Sequence, residues 1–192
     1  MKEYMDGIKR AIAAFFDFLQ GIVVFLAILV MIYLFIMSPQ EINGASMEPN
    51  FHNGEYILTN KVLYKIRNPK RGDVVIFKSP RNKDVDYIKR IIGLPGDTVA
   101  LRSNTFYVNN QKVDEPYLAP DVVIFGGSYL AENQEIIVPE GKYFVAGDNR
   151  PHSSDSREFG PIALEDFIGV AFLRYWPFDR AGVIPHPSYF IQ

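Results

Sequence analysis

Two short stretches carry the residues best suited to chemistry. One is Gly44-Ala45-Ser46-Met47-Glu48-Pro49, and the other is Tyr87-Ile88-Lys89-Arg90-Ile91-Ile92-Gly93. A serine hydroxyl is a weak nucleophile until a neighbouring base takes its proton. The two small residues before Ser46 would let a substrate backbone come close. In a strand, Tyr87, Lys89 and Ile91 share one face and Ile88, Arg90 and Ile92 the other. Parity alone leaves open which cation points inward, but the chemistry separates them. Arginine stays protonated at any useful pH, whereas lysine gives up its proton when it is desolvated. An unperturbed lysine is only about 0.4% neutral at pH 8. Burial among apolar groups lowers its pKa and makes the amine a usable base.

The competing bases are the histidines His52, His152 and His186, all in polar or proline-flanked loops. A Ser-His-Asp arrangement has no motif behind it here. A third dense stretch runs from Gly147 to Gly160 and contains Asp148, Asn149, Arg150, Ser153, Asp155 and Arg157. Asp148, Asn149 and Asp155 are hard oxygen donors of the kind calcium takes. The spacing of a calcium loop and its terminal glutamate are missing, and two arginines sit among the donors. A loop cross-linked by Asp–Arg pairs and serine hydroxyls is the more economical reading. No metal or cofactor is expected.

The elements that must position these groups begin with a membrane segment. Phe18 to Met37 is a run of twenty uncharged residues. Such a run rises about 30 Å as a helix, the thickness of a bilayer core. It is longer than the apolar region of a cleaved signal peptide, and it is apolar on all sides, unlike a buried soluble helix. Lys2, Lys9 and Arg10 precede it, and no Lys or Arg follows before Lys61. The positive-inside tendency therefore puts a cytoplasmic lead at residues 1–17, a membrane helix at 18–37, and a domain outside the cytoplasm from residue 38 to 192. Residues 1–17 read as helical and amphipathic.

From Glu55 onward short β runs alternate with turn signals. The expected strands are Tyr56–Thr59, Asp73–Phe77, Tyr87–Ile92, Thr98–Leu101, Thr105–Val108, Val122–Phe125, Glu135–Val138, Lys142–Val145 and Gly169–Tyr175. Turns fall at Asn68-Pro69, Pro95-Gly96, Ser103-Asn104, Asn109-Asn110 and Gly126-Gly127. One helical turn is expected near Ala163–Phe167. The fold class is mostly β: one N-terminal transmembrane helix followed by a coiled β-sheet domain, with a small β insertion at 97–141. The chain has no cysteine, which excludes thiol catalysis and thiolate metal sites. A net charge of −2 with no basic cluster gives no sign of nucleic-acid binding. Tyr175, Trp176, Phe178 and Phe190 would suit either a packed core or a membrane surface. Core packing is favoured, because a lone tryptophan among strands usually packs.

The order of the motifs is more specific than any one of them. A membrane helix is followed by Gly44-Ala45-Ser46-Met47-Glu48-Pro49, then Arg71-Gly72-Asp73-Val74-Val75-Ile76-Phe77. Next comes Tyr87 to Asp97, and last Gly147-Asp148-Asn149 with Ser153-Ser154-Asp155-Ser156-Arg157. From about residue 18 to 178 the chain resembles the bacterial type I signal peptidases (leader peptidases), which are serine–lysine endopeptidases. The resemblance implies Ser46 as nucleophile and Lys89 as general base. It also implies Ser153 as the hydroxyl that holds the lysine amine, Asp155 and Arg157 as a supporting ion pair, and Asp148 and Arg150 in the same loop. It implies exported preproteins as substrates, cut after small residues at the first and third positions before the bond. Shallow apolar pockets near Ile42 would receive those residues. The lipid bilayer of the plasma (inner) membrane is the implied setting, and the oligomeric state is open.

The chain departs from the pattern at Gly44. Some members carry there a serine whose hydroxyl completes the oxyanion hole, so here the second donor would have to be a backbone N–H. Three other readings compete. One is a catalytically silent scaffold, which would be expected to have lost Ser46 or Lys89. Another is a self-cleaving regulator of the Ser–Lys type, and the last is an unrelated His-dependent hydrolase.

Overall fold

A computed structural model of the chain describes residues 1–119 and 122–185. It divides into two units, Met1–Met37 and the chain from Ser38 onward. The expected roles of His186 and Phe190 lie outside the described residues.

The first unit is a single helix, α1 (Lys2–Phe35). Helix-forming and apolar residues run through it without a proline, so the lead at 1–17 joins the apolar run without a break. Phe18, Phe25, Val30 and Phe35 are each more than half exposed. The helix is long and apolar enough to cross a membrane and fits a transmembrane anchor. It ends two residues earlier than the sequence suggested, because Met37 already opens strand β1 (Met37–Glu41). Pro39 supplies the reason: it has no N–H to continue a helix and it biases Ser38 toward extended backbone.

The second unit is built from antiparallel sheets. Its main sheet orders β1, β2 (Tyr56–Asn60), β11 (Phe167–Trp176), β3 (Val74–Lys78), β4 (Asp86–Gly93), β9 (Lys142–Ala146) and β10 (Ile162–Ala163), with β12 (Gly182–Val183) on β11. Four strands form the second sheet: β5 (Thr98–Arg102), β6 (Thr105–Val108), β7 (Gln111–Lys112) and β8 (Glu135–Ile137). This second sheet is the small β element expected between Asp97 and Gly141. Its tight connections are Ser103-Asn104 and Asn109-Asn110. All four residues have positive φ, the conformation two-residue hairpins require and asparagine tolerates.

The main sheet is covered on both faces. Ile42, Met47, Phe51, Ile57, Val74 and Ile76 pack on one side, and Val75, Phe77, Ile91, Tyr143 and Val145 on the other. A third cluster ties Ile92, Phe144 and Ala146 of the main sheet to Val99, Leu101, Phe106 and Val108 of the second. At about 25 cal/mol per Å² these buried side chains are the dominant stabilising term. A strand buried on both faces reads as a continuous apolar run, which is how Val74–Phe77 reads.

Three expectations were displaced. Val122–Phe125 joins no ladder; Ile124 sinks into the third cluster while the Phe125 carbonyl accepts from Arg157 Nη1 at 2.9 Å. The segment is extended and pinned by a side chain instead of a strand. The helical turn near residue 165 is a 3-10 turn at Leu164–Asp166, while two four-residue helices, α2 (Leu63–Ile66) and α3 (Ser156–Phe159), carried no periodic signal. Trp176 and Phe178 do not join the core. They are 45% and 78% exposed and touch each other edge to face, because β11 ends at Trp176 and Pro177 turns the chain away.

Candidate active site

Ser46 sits in the turn that follows β1. Met47 and Phe51 anchor this turn in the core, and the Met47 carbonyl accepts from the N–H groups of Asn50 and Phe51 at 3.1 and 3.0 Å. With Met47 pulled inward, the neighbouring Ser46 faces outward. It lines a cleft of about 500 Å³ together with Gln40, Ile42, Ile57, Ile76, Ile88 and Lys89. The Glu48–Pro49 peptide within the turn is cis.

Lys89 lies on β4, opposite Val75 of β3. Its Nζ is 2.7 Å from Ser46 Oγ and 2.9 Å from the Ile88 carbonyl oxygen. Among the described residues Lys89 is the only hydrogen-bond partner of the Ser46 hydroxyl. The amine is 5.3 Å from the centre of the Tyr87 ring. Lys89 is 3% exposed and Arg90 is 2% exposed. The question of which cation points inward therefore has the answer that both do, since the sheet is covered on each face. Burial pushes the Lys89 amine down to about 8; the charges of Asp155 and Asp148 pull it up, and Arg157 pushes it further down.

The loop from Gly147 grips the nucleophile turn from the other side. Asn149 N–H donates to the Ser46 carbonyl at 3.0 Å, and its carboxamide donates to the Ala45 carbonyl at 3.0 Å. Gly147 permits this approach, because a Cβ there would run into the Ser46 carbonyl oxygen and Ser153 Oγ. Asp155 accepts from the Gly147 N–H at 3.0 Å, caps α3, and holds Arg157 in a two-pronged pair at 2.8 Å on each side. Burial opposes the charged form of Asp155. The hydrogen bonds and charge of Arg157, with the Gly147 N–H, outweigh it and hold the carboxyl below its usual range. Arg157 also donates to the carbonyls of Phe125 and Arg150.

Asp148 pairs outside its own loop. Arg90 Nε and Nη2 reach its two oxygens at 2.9 and 2.6 Å, both side chains being buried. Arg150 pairs with Glu115 at 2.8 and 2.6 Å, across from the second sheet. The carboxylates of Asp148 and Asp155 are thus both taken by guanidinium groups, Asp148 by Arg90 of β4 and Asp155 by Arg157 of its own loop.

The geometry differs from the resemblance in two details. Ser153 Oγ does not bond to the Lys89 amine; it is buried without a hydrogen bond of good geometry, though close enough to Asp155 to favour its charge. Gly44, at φ +106, donates its N–H to Asn53 Oδ1 at 2.8 Å, so that N–H is already engaged. The Ser46 N–H has no hydrogen-bond partner among the described residues. Of the histidines, exposed His152 lies in a 3-10 turn and His52 sits beside Glu55 and Arg180; neither touches Ser46.

Sequence reasoning missed Asn50, Asn53, Glu115 and Tyr117, and it read Asn149 as an oxygen donor where it serves as a hydrogen-bond donor to the Ser46 and Ala45 carbonyls. Asn149 had a signal in its position between Asp148 and the conspicuous arginine. Asn50 and Glu115 meet Asp148 and Arg150 from 98 and 35 residues away, and nothing in the local spacing of Asn53 announces its bond to the Gly44 N–H.

Residues 15–176 match the family described as "Signal peptidase, peptidase S26". A "Signal peptidase IB" of Staphylococcus aureus (strain COL) is 39% identical over 175 residues, covering 85% of this chain and 91% of that protein. A "Signal peptidase I" of Bacillus caldolyticus is 42% identical over 154 residues, 77% of this chain and 84% of that protein. A crystal structure of a signal peptidase I from Enterococcus faecalis shares 36% identity and covers 55% of this chain and 97% of its own, with a TM-score of 0.44. A match running from the apolar helix to the end of β11, with relatives aligned over most of their own length, means that this chain belongs to the signal peptidase family, peptidase S26.

Proposed function

We propose that the chain removes signal peptides from exported preproteins by a Ser46 nucleophile and a Lys89 general base. The observation that carries this reading is the 2.7 Å approach of a buried amine to Ser46 Oγ, with the amine's pKa pushed down to about 8. A neutral amine at that distance accepts the Ser46 proton as Oγ bonds to the scissile carbonyl carbon. The tetrahedral intermediate places its oxyanion at the unpartnered Ser46 N–H. The ammonium then returns the proton to the departing amine as the C–N bond breaks, freeing the mature protein and leaving the signal peptide as an ester on Ser46. Water attacks that ester, giving its proton to Lys89, and the signal peptide leaves with a new carboxylate while Ser46 recovers its proton.

The supporting groups act on the base. The Asp155–Arg157 pair holds the loop that fixes the Ser46 carbonyl, and Asp148 fixes Arg90 behind β4. The Ser153 hydroxyl, buried in the same loop, is the group to which the family resemblance assigns the holding of the amine once the Ser46 proton has moved. The cleft walls are Ile42, Ile57, Ile76 and Ile88, which suit small apolar side chains on either side of one residue. An extended substrate would lie along the β1 and β4 segments that line the cleft. The setting we infer is a single-pass anchor in the plasma membrane with residues 1–17 in the cytoplasm and the catalytic unit outside it.

The test is a preprotein carrying alanine at the first and third positions before the cut, with each replaced in turn by leucine. The reading expects one new N-terminus after the alanine, and at least tenfold slower cleavage for either leucine substrate. Equal cleavage of all three substrates would overturn the specificity.

A further inference from the structure

Asn50 lies four residues after Ser46, at the close of the nucleophile turn, and its contacts are out of proportion to its place in a surface loop. Its Nδ2 donates to Asp148 Oδ2 at 2.8 Å and to the Tyr117 carbonyl at 2.8 Å. Both partners are acceptors, so the carboxamide has one orientation. Its backbone is held as well: the N–H donates to the Met47 carbonyl at 3.1 Å and the carbonyl accepts from Arg174 Nη1 at 3.0 Å.

The partners of Asn50 reach three separate parts of the fold. Asp148 belongs to the loop whose next residue, Asn149, binds the Ala45 and Ser46 carbonyls. The same Asp148 carboxylate receives Arg90, the neighbour of Lys89 on β4. Tyr117 comes from the segment after the second sheet's β7; its ring lies 4.1 Å from the Arg90 guanidinium, and Glu115 nearby grips Arg150. One carboxamide therefore joins the turn that carries Ser46 to the strand that carries Lys89 through a single buried carboxylate.

We propose that Asn50 is a positioning residue for the Ser46–Lys89 pair, an inference that rests on the function proposed above. By clamping the turn to Asp148 it fixes where Ser46 stands relative to the β4 backbone, and thus the 2.7 Å approach of Oγ to Nζ. It touches neither reacting atom. A displacement of about 1 Å at a reacting pair costs on the order of a hundredfold in rate. Asn50 carries no charge and donates to Asp148 and not to the amine, so its loss should leave the titration of Lys89 in place.

The experiment uses the full chain in detergent, with Asn50→Ala beside wild type and Ser46→Ala. Cleavage of an alanine-x-alanine peptide is followed from pH 6 to 10, at 10 °C and 30 °C, with melting recorded by circular dichroism. The proposal expects kcat of Asn50→Ala to fall ten- to a hundredfold, with KM within twofold and the pH midpoint unmoved. The deficit should persist at 10 °C where the protein is fully folded. A kcat within twofold of wild type overturns the proposal. So does a deficit that vanishes at 10 °C, which would make Asn50 a support of the fold alone. Should Ser46→Ala cut as wild type does, the function reading itself falls and the proposal falls with it. With Ser46→Ala inert, a normal Asn50→Ala overturns the positioning role alone.

Discussion

The titration of Lys89 gives the account its most quantitative prediction. Burial brings its amine down to about 8, from the ordinary lysine value of about 10.5. If the neutral amine is the base, kcat/KM follows its neutral fraction. For a pKa of about 8 that fraction is roughly 9% at pH 7, 50% at pH 8 and 91% at pH 9. Activity should climb about fivefold from pH 7 to 8 and less than twofold from pH 8 to 9, on the same relation. A solvent-exposed lysine near 10.4 would instead give close to tenfold per unit through pH 9, with no plateau in sight. The assay is kcat/KM on a capped alanine-x-alanine peptide without groups that titrate between pH 6 and 10, so that only the enzyme contributes. A profile flat from pH 6 to 10, or one still rising tenfold per unit at pH 9, would refute a desolvated Lys89 base.

Two further outcomes follow from the buried charges. Asp148→Ala leaves Arg90 buried without its carboxylate, an arrangement that costs about 3–5 kcal/mol and should lower the melting temperature by roughly 6–20 °C. The same change removes a charge that raises the Lys89 pKa, so the pH midpoint of any remaining activity should move toward acid; a melting change under 2 °C would contradict the pairing. Lys89→Met should stabilise the fold at neutral pH, because holding the amine at about 8 rather than 10.5 costs roughly 3 kcal/mol there. Between pH 8 and 10.5 the unfolded chain binds the extra proton, so wild-type stability rises and the variant's advantage should close; denaturant unfolding at pH 7 and pH 10 checks the sign.

Local chemistry made much of this fold legible from the sequence. The pairs Ser103-Asn104 and Asn109-Asn110 read as turns, and the structure makes them two tight hairpins with positive φ; Asp73–Phe77 read as a strand, and its burial on both faces comes from the structure. The apolar helix was evident from length alone, though Pro39 ended it earlier than the uncharged run did. Strand β1 was not legible, since Met-Ser-Pro-Gln-Glu has no alternation and owes its place to β2. The short helices α2 and α3 were hidden for the same reason: α3 exists because Asp155 caps it while also binding Gly147 and Arg157. At the site, the choice of Lys89 over Arg90 could be argued from acid–base chemistry, but the burial of both could not, since alternation predicts one in and one out. The partners of Asp148 and Arg150 were out of reach of spacing arguments. Arg90 and Glu115 lie 58 and 35 residues away and meet them only through the folded sheet.

The central claim is that one hydroxyl and one amine form the catalytic pair. The most direct test is cleavage of a preprotein with an alanine-x-alanine site by wild type, Ser46→Ala and Lys89→Ala, each shown to be folded. The account predicts a single cut after the second alanine by wild type and no product from either variant above the uncatalysed rate. Cleavage by Lys89→Ala would place the base elsewhere and turn attention to the histidines, and a folded but inert wild type would make the chain a silent scaffold; either result contradicts the account.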